Sequence, residues 1–351
     1  MARTTVLGIG SYVPDRVVAN EEICFLNDRH ERCEEQQMET SHDWIVARTG
    51  IHERRYVPND GSVSCSDLAL HATNAALADA GLEAKDIDCI IFATLSPDIH
   101  FPGSAVFLQT KLGINDQSCA CYDIRQQCSG FVYGMQMADA FIRTNMYDRV
   151  LVVGSELHSH SLDYSTRGRN VTVLFGDGAG AFVFGRDDSD DERSGVIYTD
   201  CHADGAGAWN LYLKIFDIAK LPYVWYDAND YGENEIKYPQ MDGRRVFLQA
   251  VRNMVMSTNK ALADTGLTWD DIDWYVPHQA NLRINQKVAE VAEIPEQKIL
   301  NTIEIYGNTT AATVPLTIDH WRKQGKVNKG DRVLATVFGS GFTWGSAIFT
   351  V

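Results

Sequence analysis

The sequence predicts an α/β protein made of two topologically similar halves, each a central sheet covered by helices. Three observations carry this expectation. The segment Ala76-Leu-Ala-Asp-Ala-Gly-Leu-Glu-Ala-Lys-Asp-Ile-Asp88 recurs as Ala261-Leu-Ala-Asp-Thr-Gly-Leu-Thr-Trp-Asp-Asp-Ile-Asp273, with nine of thirteen positions identical. Each copy runs straight into an apolar, strand-like stretch, at 89–93 and at 274–276. The ends of the two halves agree as well: Phe175-Gly-Asp-Gly-Ala-Gly-Ala-Phe-Val-Phe184 is echoed by Phe338-Gly-Ser-Gly-Phe-Thr-Trp-Gly-Ser-Ala-Ile-Phe349. The halves are expected at 1–186 and 187–351, joined near the acidic run at 187–192.

Composition narrows the function classes. A chain of 351 residues with 45% hydrophobic and 22% charged residues is an ordinary globular protein, long enough for two domains or two halves of one. A formal net charge of −16 argues against a nucleic-acid role, which needs a basic face. It leaves room for an acidic protein partner held by a local Lys/Arg patch. No apolar run reaches membrane-spanning length, and Met1-Ala-Arg-Thr-Thr-Val-Leu-Gly8 has no signal-peptide layout, so a cytoplasmic protein without membrane contact is expected. Eight scattered cysteines in such a chain read as reduced thiols. Cys119-Ala-Cys121 is not Cys-x-x-Cys and nothing nearby completes a ligand set, so no metal is expected.

In chain order, 4–12 reads as a first buried strand and 20–40 as an exposed, charge-rich helix or loop. Trp44, Arg48 and the arginines after them form a close aromatic–basic group at 43–55. Such a group either grips phosphate and stacks on a purine or makes surface ion pairs. A helix over 66–80 is stopped by Gly81, and a strand of the fully buried kind follows at 88–94. A short strand at 122–124 then leads to a helix with Ser129 and Gly130 in its first turn. Phe131, Met135, Ala138 and Ile142 fall on one face of that helix. The glycines at 176–180 are not spaced as a dinucleotide loop and are followed by a β-rich run. The aromatic stretch 211–238 is either a lid or pocket wall or a subunit contact, and 246–262 is helical.

Three polar groups occupy strand-to-helix corners in this plan. Cys128 sits before a helix, where free backbone N–H groups and the helix dipole favour a thiolate; the alternative is a buried structural cysteine. His278 follows the apolar stretch ending Val276-Pro277. Asn308 follows Tyr306-Gly307, read as strand, glycine turn and small-residue helix start. In open α/β sheets ligands bind at the carboxyl ends of strands, and a two-fold repeat would bring these corners to one centre. Cysteine plus histidine also suits a protease, but the repeated halves and the Asn308 corner fit that poorly.

Cys128-Ser-Gly-Phe131, Pro277-His-Gln-Ala-Asn-Leu-Arg283, Tyr306-Gly-Asn-Thr-Thr-Ala-Ala-Thr313, Trp44-Ile-Val-Ala-Arg-Thr-Gly-Ile51 and Gly339-Ser-Gly-Phe-Thr-Trp-Gly-Ser346 resemble the β-ketoacyl-acyl-carrier-protein synthase III family of the thiolase superfamily. The matches run in order along nearly the whole chain. The resemblance implies a five-layered αβαβα fold, a homodimer and a Cys–His–Asn triad of Cys128, His278 and Asn308. It implies that Cys128 takes an acyl group from an acyl-CoA and passes it to malonyl-acyl carrier protein with loss of CO2, so that CoA thioesters and the carrier protein are substrates and no cofactor is required. The oxyanion hole would be the backbone N–H groups of Cys128 and Ser340. Trp44, Arg48 and Arg167 match CoA-binding positions, and Asn281 matches a pantetheine-tunnel position. Phe101 matches the residue that a partner subunit lends to the acyl pocket, and Arg283 is the candidate carrier-protein contact. Gln126-Gln127, Ser340 and the stretches 27–40 and 211–238 depart from the family pattern. They leave open a related condensing enzyme of secondary metabolism or head-to-head hydrocarbon synthesis, or a non-catalytic partner subunit.

Overall fold

A computed structural model describes residues 3–115, 118–187, 194–214 and 238–351. Nine strands form the two principal sheets: β1 (Arg3–Tyr12), β2 (Cys89–Ala93), β3 (Ala120–Ile124), β4 (Arg149–Glu156), β5 (Gly178–Asp187), β6 (Val196–Ala203), β7 (Trp274–Pro277), β8 (Arg332–Gly339) and β9 (Thr343–Thr350). The first sheet has the order β3-β2-β4-β5-β1, with β3, β2 and β4 parallel and β5 antiparallel to both its neighbours. The second has the order β7-β8-β9-β6, with β7 and β8 parallel and the rest antiparallel. Strand for strand, the second sheet repeats the sense of β2-β4-β5-β1.

The repeated sequence folds alike in both places. Gly81 and Gly266 each end a helix in the left-handed region, at φ 65° and 69°. Each is followed by a capping box, Glu83 with Asp86 and Thr268 with Asp271, that starts a single 3-10 turn before β2 or β7. The acidic run at 187–192 lies outside the described residues apart from Asp187, and the stretch 211–238 apart from 211–214 and Tyr238.

Helices α1 (Cys65–Ala80), α2 (Gly130–Arg143), α3 (Gly243–Thr265) and α4 (Thr313–Lys323) supply the remaining layers. α1 packs on the outer face of the first sheet and α3 on the outer face of the second, while α2 and α4 lie between them and touch both. This is the expected five-layered αβαβα arrangement. β2 is covered on both faces, and all five of its residues are buried. Gly8 and Gly10 of β1 let α1 approach closely, because a Cβ at either would lie 2.3 Å from a backbone atom of Ala76. The predicted face of α2 is the buried one: Phe131, Met135, Ala138 and Ile142 are all inaccessible. Burial of each larger side chain there stabilises by about 2 kcal/mol. Phe131 meets Phe182 edge-on at 5.0 Å, and Phe182 meets Phe349 at 6.0 Å, so one core spans both sheets.

Two local expectations are corrected. The stretch 20–40 is not simply an exposed face. Ile23, Cys24, Leu26, His30 and Met38 are buried, and His30 Nε2 lies 2.5 Å from the Ser159 carbonyl. Its charged residues are spaced among apolar anchors that no regular periodicity reveals. No strand precedes Gly307 either. Ile303–Tyr306 is one helical turn, ended by Gly307 at φ 63°.

Candidate active site

The chain leaves β3, passes through a 3-10 turn at Gln127–Ser129, and enters α2 at Gly130. Gln127 stands at φ 47°, a conformation that few residues other than glycine adopt, and this sharp turn sets Cys128 at the base of the helix. The turn is held from the second half of the chain. Ser129 Oγ donates to the Thr343 carbonyl at 3.0 Å and Thr343 Oγ1 donates to the Gln126 carbonyl at 3.3 Å. The expectation of a stabilised thiolate is not met. Cys128 is buried apart from the cavity it lines, and its thiol is pushed up to about 12, first by desolvation and then by the nearby Glu156 carboxylate. The Cys128 backbone N–H and the Thr310 hydroxyl act in the opposite sense but do not outweigh this. At rest the sulfur carries its proton.

His278 follows β7 directly, and its N–H donates to the Thr336 carbonyl at 2.8 Å, prolonging the β7–β8 pairing by one residue. Its Nδ1 lies 2.7 Å from Thr313 Oγ1, and its buried Nε2 has no protein partner. Burial pulls the imidazole down to about 3, so it is neutral at physiological pH. Asn308 is fixed by its backbone, N–H to the Leu174 carbonyl at 2.8 Å and carbonyl to the Gly176 N–H at 3.1 Å. Its Oδ1 accepts from the Thr310 N–H at 2.9 Å, which leaves the Nδ2 amide as the group free to turn to a ligand.

These three side chains line one cavity of about 660 Å³. Trp44, Arg48, Asn281 and Arg283 line it too, and Val246, Phe247, Ala250 and Met254 of α3 give it an apolar wall. Arg48 stacks over the Trp44 ring at 4.3 Å and Arg169 does so at 5.0 Å, so the indole is flanked by two guanidinium groups. Asn281 caps the helix Leu282–Val291 through the Arg283 N–H at 2.9 Å and donates to the Arg48 carbonyl at 3.0 Å, tying the two sequence motifs together.

The other predicted residues stand apart from this cavity. Arg167 pairs with Asp163 at 2.6 Å and helps line a separate small depression with Tyr238. Phe101 is 78% exposed, close to exposed Ile99. At the Ser340 turn it is Gly339 that lines the cavity, while the Ser340 hydroxyl donates to the Leu211 carbonyl. A Cβ on Gly339 would lie 3.1 Å from the Cys128 nitrogen, so this glycine lets the β8–β9 turn reach the Cys128 backbone.

Sequence reading missed Thr310, Thr313, His158, Glu156 and Arg169. Thr310 and Thr313 lie inside the Asn308 motif but carry no distinctive chemistry of their own. Glu156 and His158 stand at the carboxyl end of β4, the same sheet edge as the Cys128 turn, and that position was their one available signal. Glu156 is buried and accepts from Ser96 Oγ at 2.7 Å and from Thr94 Oγ1 at 3.1 Å. Even so, desolvation raises its carboxyl to about 7.

The crystal structure of 3-oxoacyl-[acyl-carrier-protein] synthase III from Aquifex aeolicus matches 99% of this chain and 100% of its own, with a TM-score of 0.84 and 34% identity. With two sheets of matching strand sense around shared helices, this places the chain among the thiolase-like enzymes. Two family models, described as 3-oxoacyl-[acyl-carrier-protein (ACP)] synthase III and its C-terminal region, match residues 122–205 and 262–351. Among curated proteins, the β-ketoacyl-[acyl-carrier-protein] synthase III of Geobacillus kaustophilus is 40% identical over 97% of this chain and 96% of its own length. That of Alkalilimnicola ehrlichii is 39% identical over 99% of both. The chain belongs to the β-ketoacyl-acyl-carrier-protein synthase III family.

Proposed function

We propose that this enzyme condenses an acyl-CoA primer with malonyl-acyl carrier protein, giving 3-oxoacyl-acyl carrier protein, CoA and CO2, the reaction that opens fatty acid biosynthesis. The observation that carries the reading is the convergence of Cys128, His278 and Asn308 on one cavity that also reaches Trp44 and Arg48. Cys128 attacks the acyl-CoA carbonyl, CoA leaves, and the acyl group stays on the sulfur, which divides one difficult reaction into two easier ones. The Cys128 and Ser340 N–H groups take the oxyanion. Malonyl-acyl carrier protein then enters, and His278 and Asn308 donate to its thioester carbonyl. They stabilise the enolate left by departing CO2, whose carbon attacks the acyl-Cys128 carbonyl. A neutral imidazole serves this step only with its proton on Nε2. The step therefore requires the Thr313 hydroxyl, which lies 2.7 Å from Nδ1 and donates to the Thr310 carbonyl at 3.0 Å, to turn its one proton to Nδ1.

Trp44, Arg48 and Arg167 hold the nucleotide end of CoA, Asn281 lines the pantetheine path, and Arg283 at the exposed mouth meets the acidic carrier protein. The enzyme works as a homodimer in the cytoplasm, each subunit lending exposed Phe101 to its partner's acyl pocket. Ile99 and Phe101, 49% and 78% exposed, are the apolar surface that such a contact covers. Among the described residues no helix is long and apolar enough to cross a membrane. The reaction consumes CoA thioesters and a carrier protein as substrates and needs no cofactor.

Incubation with a panel of acyl-CoAs, followed by intact-protein mass measurement, should show one acyl adduct that Cys128→Ala abolishes. Addition of malonyl-acyl carrier protein should then discharge it as 3-oxoacyl product with one CO2. Loading without CO2 release would reject this acceptor and favour a related condensing enzyme.

A further inference from the structure

The turn between β8 and β9 carries Ser340, a departure from the family pattern, and it is held on two sides. Toward the nucleophile, the Ser340 carbonyl lies 3.1 Å from Thr343 Oγ1, itself 3.3 Å from the Gln126 carbonyl, and Ser129 Oγ donates to the Thr343 carbonyl at 3.0 Å. A Cβ on the preceding Gly339 would come within 3.1 Å of the Cys128 nitrogen, so the turn and the Cys128 backbone are close neighbours. Toward the cavity wall, the Ser340 hydroxyl donates to the Leu211 carbonyl.

The register of a short ladder turns the Leu211 carbonyl toward this bond. Leu211–Tyr212 pairs antiparallel with Gln240–Met241, and one step along the same register the Asp242 N–H donates to the Asn210 carbonyl at 2.8 Å. Hydrogen-bonded and non-bonded pairs alternate along antiparallel strands. With Asn210 bonded to Asp242, Leu211 opposite Met241 takes the non-bonded place, where its carbonyl faces away from Met241 and the two side chains stand close together. Leu211 and Met241 both line the cavity. The Ser340 hydroxyl thus fastens this piece of wall to the turn that presents the Ser340 N–H. Two reciprocal backbone bonds between Asp204 and Phe342, at 2.8 and 2.7 Å, join neighbouring residues of the same two segments, so the fold does not depend on the hydroxyl.

We propose that the Ser340 side chain is a positioning group for acyl loading: by tying its turn to the wall at Leu211, it holds the Ser340 N–H where the oxyanion of the thioester carbonyl forms. The proposal rests on the reading of Cys128 as the acyl acceptor and of the Ser340 N–H as an oxyanion donor. Such a donor is effective because it is aimed before charge develops, so that nothing need reorganise as the reaction proceeds. The two donors differ in how they are held. The Cys128 N–H is fixed at the base of α2, whereas the Ser340 N–H sits between Gly339 and Gly341, the latter at φ 134°, on backbone with wide conformational freedom. The hydroxyl supplies the restraint that the flanking glycines lack. His278 and Asn308 reach the cavity from other elements and do not depend on it.

The test compares Ser340→Ala and Ser340→Thr with the unmodified enzyme, each checked for cooperative thermal unfolding. Acyl loading of Cys128 is followed in single turnovers over a range of acyl-CoA concentrations. Removing an oxyanion donor outright costs about 100- to 1000-fold, and Ser340→Ala only loosens one, so its saturating loading rate should fall about tenfold. The oxyanion exists only in the transition state, so the half-saturating acyl-CoA concentration should stay within about twofold. Ser340→Thr keeps the hydroxyl and should recover to within about threefold of the parent. The proposal is overturned if Ser340→Ala loads at the parental rate, if half-saturation rises in place of a slower rate, or if Ser340→Thr loads no faster than Ser340→Ala. Should the unmodified protein accept no acyl-CoA, it is the functional reading that fails. Hydrogen exchange of peptides spanning 204–214 and 338–346, read by mass, then decides the tie: about tenfold faster exchange of both in Ser340→Ala supports it, and an unchanged pattern refutes it.

Discussion

Thr313→Val isolates the group that sets the His278 tautomer. The two side chains have nearly the same shape, so the change removes a hydroxyl and little else. That hydroxyl lies 2.7 Å from His278 Nδ1 and 3.0 Å from the Thr310 carbonyl, both inside the buried core of the site. Its loss leaves Nδ1 without a partner, and an orphaned buried polar group costs about 1–3 kcal/mol. Unfolding free energy should fall by about that amount. No hydroxyl is then left to turn to Nδ1 and keep the imidazole proton on Nε2, as the second half-reaction requires. A preference weakened by about 1.4 kcal/mol lowers the rate of the step that uses it about tenfold. The assay is single-turnover CO2 release from malonyl-acyl carrier protein, run beside acyl loading of Cys128. CO2 release should fall about tenfold, loading should change less than threefold, and Thr313→Ser should restore the rate. An unchanged CO2 release, or an equal fall in both half-reactions, would refute the tautomer argument.

Two further outcomes follow from the same geometry. Gly339→Ala places a methyl 3.1 Å from the Cys128 nitrogen and 3.2 Å from the Ser129 nitrogen, so the nucleophile turn must shift by a few tenths of an ångström. Acyl loading should slow at least about tenfold with little loss of stability, since small misplacements at a reacting centre are costly; a parental loading rate would show that the turn yields freely. Stability should fall as pH drops below 6.5. Burial holds His30 down to about 4 and His158 and His278 down to about 3, against an ordinary value of 6.5. Each group whose native pKa is depressed contributes stability that is complete above its unfolded value and is lost as pH falls toward the native one. Glu156, raised from 4.5 to about 7, has the opposite sign and offsets one of the three between pH 7 and 4.5. The slope from these four groups together approaches about 3 kcal/mol per pH unit. Urea unfolding between pH 6.5 and 4.5 measures it, and a flat profile would contradict the burial of these imidazoles.

Much of this protein is written locally in its chain. The repeat at 76–88 and 261–273 announces its two-fold plan because helix stop, capping box and buried strand are set by neighbouring residues, and these contacts form identically in both places. The buried face of α2 follows from the spacing of Phe131, Met135, Ala138 and Ile142. The motifs around Cys128, His278 and Asn308 mark three corners by their local sequence, since each pairs a polar residue with the small or turn-forming neighbours its corner requires. Tertiary structure alone decided their electrostatics. A helix start by itself favours a thiolate, but burial and the Glu156 carboxylate, brought from the neighbouring region of the first sheet, reverse the balance. Desolvation depends on everything packed around a group, and no local pattern encodes that. The same holds for Thr310, whose left-handed backbone and side-chain contacts join segments 152 residues apart, and for His158, which reads in the sequence as one histidine among ten.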